Sequence, residues 1–182
     1  NKLKLTTMQL VDEANNYLSE YLNGIENQLE VLVASNEIKT FSMKSGMKLL
    51  EDTEKSADNI MNTYFADNNG NMYMSPVQEL PEGYDPRQRE WYKGAFKNPG
   101  KSYWTTPYVD AGSGRITVTV SKALMESNNI VGVIGIDIDL NDFADKVANK
   151  TIGREGYLSV IDVKGNIIAH NDRKLIGTDV VT

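Results

Sequence analysis

The chain of 182 residues contains no cysteine, which excludes disulfides and thiolate metal sites. A single histidine, His170, leaves little for imidazole chemistry. Long apolar runs are also missing: the longest near-continuous one, Ile130 to Ile136, is far short of the roughly 18 to 20 residues that cross a bilayer. Positive charge is in deficit, with 19 Lys plus Arg against 25 Asp plus Glu, a net charge of −6. That balance disfavours a surface that tracks phosphates, so nucleic acid is not an expected partner. The sequence opens on Asn1 without Met or a signal-peptide pattern and closes on Thr182 without a terminal motif. It therefore reads as an excised piece, from which flanking membrane spans could have been removed.

What is present supports a real core, with 40% hydrophobic residues, enough for one ordinary domain or two small ones in a globular protein. From about Leu5 to Val33, apolar residues recur at Val11, Ala14, Leu18, Tyr21, Ile25 and Leu32, in steps of three and four apart from Gln28. This spacing predicts one long amphipathic helix, about 40 Å in length. Such a helix serves either as a stalk or dimer seam, or as a rod packed along its own domain. A second helix is expected from about Lys44 to Asn62, with Met47, Leu50, Ile60 and Met61 as core positions. Thr63 to Ser75 then reads as two strands joined at Asp67-Asn68-Asn69-Gly70.

Asp85 as N-cap, Pro86 at the first helical position and Gln88 as capping-box partner predict a helix that carries Trp91, Tyr92, Ala95 and Phe96 and ends at Asn98-Pro99-Gly100. Tyr103 to Asp110, Arg115 to Ala123 and Ile130 to Leu140 are strand-like and form an antiparallel meander. Asn141 opens a short helix to about Lys150, with Phe143 and Val147 on its buried face, and Gly153 and Gly156 close the unit. Asp162-Val163-Lys164-Gly165-Asn166 then repeats the layout of Asp67-Asn68-Asn69-Gly70-Asn71, 95 residues later. A tandem repeat of small α/β modules is the expected reading, although Asp-x-x-Gly is also common at hairpin turns. Gly156 to Thr182 is too short to complete a second sheet.

The ordered series Tyr84-Asp85-Pro86-Arg87-Gln88-Arg89-Glu90-Trp91-Tyr92-Lys93-Gly94-Ala95, Tyr108-Val109-Asp110, Ile116-Thr117-Val118-Thr119-Val120-Ser121 and Gly132-Val133-Ile134-Gly135-Ile136-Asp137-Ile138 resembles the double Cache family. The match runs from about Thr63 onward. The resemblance implies an α+β fold: a PAS-like Cache module with a long N-terminal helix and a central antiparallel sheet, followed by the truncated start of a second Cache module. Residues 1–152 would form the membrane-distal module, with the long helix at about 5–33. Residues 153–182 would be a linker and the first part of the membrane-proximal module. The implied function is that of the extracytoplasmic sensor of a membrane-anchored chemoreceptor, homodimeric in the full receptor, that binds a free amino acid and is not an enzyme.

The family's amino-acid-binding subset carries residues that fall here on Tyr84, Arg89, Trp91, Tyr108, Asp110 and Asp137. One departure is Glu90, where the family usually has Pro; it bears on the rigidity of that loop. Sensing of another small solute, a carboxylate or an amine, in a histidine kinase or a cyclic-di-nucleotide enzyme is the alternative. A glycoside hydrolase using an Asp pair is a third reading.

An amino acid is a zwitterion, and its site needs donors for a carboxylate near acceptors for an ammonium. Arg89 offers a planar fork, and Tyr84 and the Trp91 indole offer further donors. Tyr108 and Asp110, two apart, share a strand face, and Asp137 alternates with Ile134, Ile136 and Ile138. The competing readings are an exposed Arg89–Asp85 pair and Trp91 with Tyr92 as plain core. Asp137 and Asp139 sit inside an apolar run, where a carboxylate is costly unless exposed or paired, so at least one is expected to serve a site. Asp67-x-Asn69 lacks the spaced oxygens of a calcium loop and reads as a turn, and His170 as a surface or capping residue. No metal and no cofactor are expected.

Overall fold

The structure, a computed structural model, describes residues 2–40, 42–151 and 159–180. Gly153 and Gly156, expected to close the first unit, lie outside the described residues. Helix α1 runs Lys2–Ala34, about 50 Å at 1.5 Å per residue. Ala14, Ile25, Leu29 and Leu32 are buried along it, whereas Val11, expected in the same stripe, is exposed. Leu29, not Gln28, continues the buried row, because 3.6 residues per turn lets the stripe drift by one position.

Ser35 then caps the short α2 (Asn36–Lys39), its hydroxyl accepting from the Ile38 N–H at 3.2 Å. Ser42 caps α3 (Met43–Lys55) by accepting from the Ser45 N–H at 3.2 Å. This helix stops at Lys55 instead of reaching Asn62. The chain turns at Ala57 to Ile60, where Asp58-Asn59 favours a turn over a further helical turn, and Asn62 already belongs to a strand.

Contacts divide the chain into two units, Ile25–Asp139 and Asn1–Gly24 with Leu140–Thr182. The first contains the strands β1 (Asn62–Asp67), β2 (Met72–Ser75), β3 (Tyr103–Trp104), β4 (Tyr108–Val109), β5 (Ile116–Glu126) and β6 (Asn129–Asp139). They form one antiparallel sheet in the order β2-β1-β6-β5-β3, with β4 also paired to β5. The expected strand Tyr103 to Asp110 is therefore two short pieces, interrupted at Thr105 to Pro107. Proline lacks the N–H that a continuous ladder needs. Ser127 and Asn128, both at positive φ, make the two-residue hairpin loop between β5 and β6.

Register gives the sheet two chemically distinct faces. Thr63, Ile136 and Val120 lie in one row, and Ile134 and Ile138 flank it on the same face. α3 lies against β1 and β2 on this side, where the Thr63 hydroxyl donates to the Leu50 carbonyl at 2.7 Å. Asn62, Asp137 and Thr119 form a row on the opposite face, beside Tyr64, Gly135 and Ser121. Helix α4 (Glu90–Lys97) covers this second face, and Ser121 donates to the Trp91 carbonyl at 2.8 Å. Both faces are thus buried, each fully covered aliphatic side chain contributing roughly 1.5 to 3 kcal/mol.

The other unit holds α5 (Leu140–Thr151), whose Phe143 and Val147 are buried, and Phe143 packs 4.8 Å from the Tyr21 ring. The hairpin of β7 (Val160–Ile161) and β8 (Ile167–Ala169) follows. Its turn repeats the first hairpin's atom for atom. Asp162 accepts from the Lys164 and Asn166 N–H groups and from the Asn166 side chain, at 2.8, 2.9 and 2.8 Å. Asp67 accepts from Asn69, Asn71 and the Asn71 side chain at 2.8, 2.9 and 2.8 Å. Gly70 and Gly165 sit at φ 90° and 93°, a conformation that favours glycine. Asp67 is engaged in its turn as expected, and His170 accepts from the Asp172 N–H at 2.9 Å, a local capping role.

Candidate functional site

The helix expected from Asp85 is two pieces. Asp85 caps a 3₁₀ turn, Pro86–Gln88, by accepting from the Arg87 N–H at 2.9 Å, and Arg89 then adopts an extended conformation before α4 begins. Gln88 sits inside the 3₁₀ turn and makes no capping box with Asp85. The ion pair of Asp85 is with Arg87 at 2.9 Å, not with Arg89. Freed from both the helix and Asp85, the Arg89 guanidinium lies over the Tyr84 ring, 5.5 Å from its centroid.

Burial pushes the Tyr84 hydroxyl pKa up, while Arg89 and a hydrogen bond with Trp91 pull it back. Trp91 is buried and packs 4.8 Å from the Tyr64 ring. The Tyr64 hydroxyl donates to Asp137 Oδ1 at 2.7 Å. Tyr64 gains this position because β6 has glycine opposite it: a Cβ on Gly135 would lie 2.2 Å from the ring.

Asp137 is 1% exposed and collects four neutral donors. Beside Tyr64, Thr119 donates at 2.5 Å and Tyr108 at 3.4 Å to Oδ1, and Asn62 donates to Oδ2 at 3.0 Å. The Asn62 carbonyl in turn accepts from Gln78 at 2.8 Å. Burial raises the Asp137 pKa to about 6, the bonds from Thr119, Tyr64 and Asn62 offsetting part of that effect and nearby Asp110 adding to it. The Tyr108 hydroxyl, 2.6 Å from that of Thr119, is also raised, chiefly by burial.

Five of the six expected residues are therefore joined by direct contacts running from Arg89 through Tyr84, Trp91, Tyr64 and Asp137 to Tyr108. A cavity of about 190 Å³ opens beside them, lined by Gln88, Arg89, Glu90, Trp91 and Tyr108. Asp110 is the exception. It lies just beyond β4, and its Oδ2 caps a turn by accepting from the Ser113 N–H and hydroxyl at 2.8 and 2.7 Å. It reaches the cluster through its charge, which acts on Asp137, Tyr108 and Tyr84. A larger cleft of about 840 Å³, along α3 and Ser75 to Val77, holds none of the six.

Sequence reasoning missed Asn62, Tyr64, Gln78 and Thr119. A signal for Thr119 exists: Thr117, Thr119 and Ser121 put hydroxyls at every second position of β5, opposite Asp139, Asp137 and Gly135 of β6. Alternating polar residues in a strand buried on both faces mark a polar interior that needs partners.

A long N-terminal helix, a six-stranded antiparallel sheet and a short helix closing one polar sheet face define the Cache class of sensor modules. The chain belongs to the Cache domain family, whose double-Cache model matches residues 1–182. The methyl-accepting chemotaxis protein PscA of Pseudomonas syringae pv. tomato is 34% identical over 120 residues, 66% of this chain and 19% of that protein. The ligand-binding domain of the Pseudomonas fluorescens chemoreceptor CtaA in complex with L-alanine superposes with a TM-score of 0.80 at 25% identity, covering 98% of this chain and 76% of that one. Its complex with L-valine gives 0.76 at 27% identity, covering 89% and 72%. The chain spans about a fifth of the length of the curated relatives it matches. Among the described residues, no helix is long and apolar enough to cross a membrane.

Proposed function

We propose that this chain is the extracytoplasmic ligand-binding region of a membrane-anchored chemotaxis receptor and that its site recognises a free amino acid. The observation that carries this is the pairing of opposite charges across one contiguous aromatic wall. Arg89 stands at one end, over Tyr84, and Asp137 at the other, under Tyr64, with a small cavity beside Trp91 and Tyr108. In this reading Arg89, with Tyr84 and Trp91, holds the carboxylate of the ligand. Asp137, Asp110 and the Tyr108 ring hold its ammonium. Relatives that are chemotaxis receptors, and a neighbour seen with L-alanine and L-valine, support the same reading. It requires no catalytic residue.

The proposal extends to organisation. Residues 1–152 make the membrane-distal module, and 153–182 the opening of a second one, in line with the identical turns at Asp67 and Asp162. The full receptor is a homodimer, but the isolated chain, lacking the effective concentration that a membrane span supplies, is monomeric or weakly dimeric. Sedimentation showing a tight dimer at low micromolar concentration would contradict that.

Calorimetric titration of the chain with the twenty amino acids, alongside simple amines and carboxylates, tests the function. At least one amino acid is expected to bind, and amines or carboxylates alone to bind far more weakly, because each engages only one end of the site. A cooperatively folded chain that binds no amino acid sinks the proposal.

A further inference from the structure

The side chain of Glu90, first residue of α4 and part of the cavity wall, gathers three donors from a different segment of the chain. Its Oε1 accepts from the Tyr103 hydroxyl at 3.0 Å and from the Thr106 N–H at 3.1 Å, and its Oε2 accepts from the Thr106 hydroxyl at 2.8 Å. Tyr103 lies in β3 just before the interruption between β3 and β4, and Thr106 lies at the middle of it. The neighbouring Thr105 is anchored to β5 instead: its N–H donates to the Thr119 carbonyl and its hydroxyl accepts from the Thr119 N–H, both at 3.0 Å. One end of this connection is thus tied to the strand that serves Asp137, and the other to the helix that follows Arg89.

A second, independent feature is shaped to the same contact. Gly94 lies one helical turn after Glu90, and a Cβ there would sit 2.2 Å from the Tyr103 ring. The missing side chain lets that ring lie across α4, and its hydroxyl then reaches the carboxylate at the N-terminus of the helix. A negative charge at a helix N-terminus is itself favourable, so the acceptor is held in place by its own helix.

The geometry points to Glu90 as a positioning residue for ligand binding: its carboxylate clasps the β3–β4 connection to the start of α4, and so fixes Tyr108 and Arg89, both of which line the cavity. Tyr108 follows Thr106 by two residues, and Arg89 immediately precedes Glu90. Without the clasp the connection retains its attachment through Thr105 but loses its tie to α4, and Tyr108 gains freedom at the short strand β4. This inference rests on the ligand-binding reading for its effect on affinity, and on geometry alone for the clasp itself.

The test uses the whole chain with Glu90→Pro, Glu90→Gln and Thr106→Val. Proline is tolerated at a first helical position and removes the carboxylate, while glutamine keeps the acceptor toward Tyr103 and the Thr106 N–H without the charge. Hydrogen exchange on the ligand-free proteins is expected to show the Thr106 and Tyr108 amides exchanging about tenfold faster in Glu90→Pro, with most of the protection restored in Glu90→Gln. L-Alanine affinity, or that of the best amino acid from the panel, should fall about tenfold in Glu90→Pro. A double-mutant cycle between Glu90→Pro and Thr106→Val should show the two effects coupled. Unchanged exchange at Thr106 and Tyr108 overturns the clasp. Faster exchange with parental affinity overturns the positioning role. If the parental chain binds no amino acid, the functional reading fails while exchange at Tyr108 still decides whether Glu90 positions it.

Discussion

Asp137 and Asp139 stand two residues apart on one face of β6, equally buried at 1% and 2% exposure, yet they are served differently. Asp139 forms an ion pair with Arg115, a cation from its own chain. The groups that bond Asp137 are neutral: the Asn62 amide and the hydroxyls of Thr119, Tyr64 and Tyr108. Hydrogen bonds orient a buried carboxylate and soften its desolvation, but they do not cancel its charge. The difference teaches that a counter-charge is built into the fold at Asp139 and not at Asp137. In the proposed reading a ligand ammonium supplies it there.

The sharpest way to break this contrast is to remove either end of the proposed ligand clamp. Asp137→Ala and Arg89→Ala should each lower amino-acid affinity by roughly two to four orders of magnitude, the consequence of leaving a ligand charge buried without its partner. Thermal melts of the ligand-free variants must accompany the titrations, because unfolding also weakens binding. Folded Asp137→Ala protein with near-parental affinity would remove Asp137 from the site.

The next effect is in pH. Asp137 has an ordinary value of 3.8 and a folded value of about 6, so the ligand-free fold holds the proton more tightly than the unfolded chain does. Its contribution to stability is full below about pH 4 and declines as pH rises toward 6, by on the order of 3 kcal/mol in total. An ammonium prefers the ionised form, so affinity runs the other way, highest above pH 6 and falling about tenfold per unit below it. Titrations and melts between pH 4 and 8 read both slopes, and Asp137→Asn should flatten both. An affinity that is level from pH 4 to 8 contradicts the assignment.

Arg115→Ala sharpens the comparison from the other side. It removes the cation paired with the buried Asp139 and should lower stability by roughly 2 kcal/mol, less than for a fully buried pair because the Arg115 side chain is half exposed. Affinity should stay within about threefold of the parent, as chemical denaturation and calorimetry on the same sample would show. The smallest effect is expected at Asp67, whose carboxylate is spent on its own turn. Asp67→Ala should change affinity by less than about twofold, and a larger loss would mean that the hairpin reaches the ligand.

What could be read in the sequence followed from chemistry that is local along the chain. The stripe Ala14, Ile25 and Leu32 marked α1, and Asp67-Asn68-Asn69-Gly70 marked the first hairpin, because helical period and turn residues act over a few positions. The extent of α3 and the break at Arg89 were not legible. Each is a competition between helix continuation and a local turn, decided by marginal energies. The partners of Asp137 were hidden for another reason. Thr119, Tyr64 and Asn62 lie 18, 73 and 75 residues away, and only strand register brings them into one row. Asp110 was placed by its spacing from Tyr108 along a strand, but β4 ends at Val109 and the chain has already begun to turn.

Gly135 and Tyr64 carry a consequence for how such a chain drifts over generations. The ring fills the volume that a methyl at 135 would occupy, and its hydroxyl is one of the four donors on which Asp137 rests. A lineage that gains a side chain at 135 first must move the ring and with it a support of the buried charge, whereas one that first loses the ring leaves a void against Trp91. Neither order is neutral, so a change at one of the two positions is expected to require a change at the other.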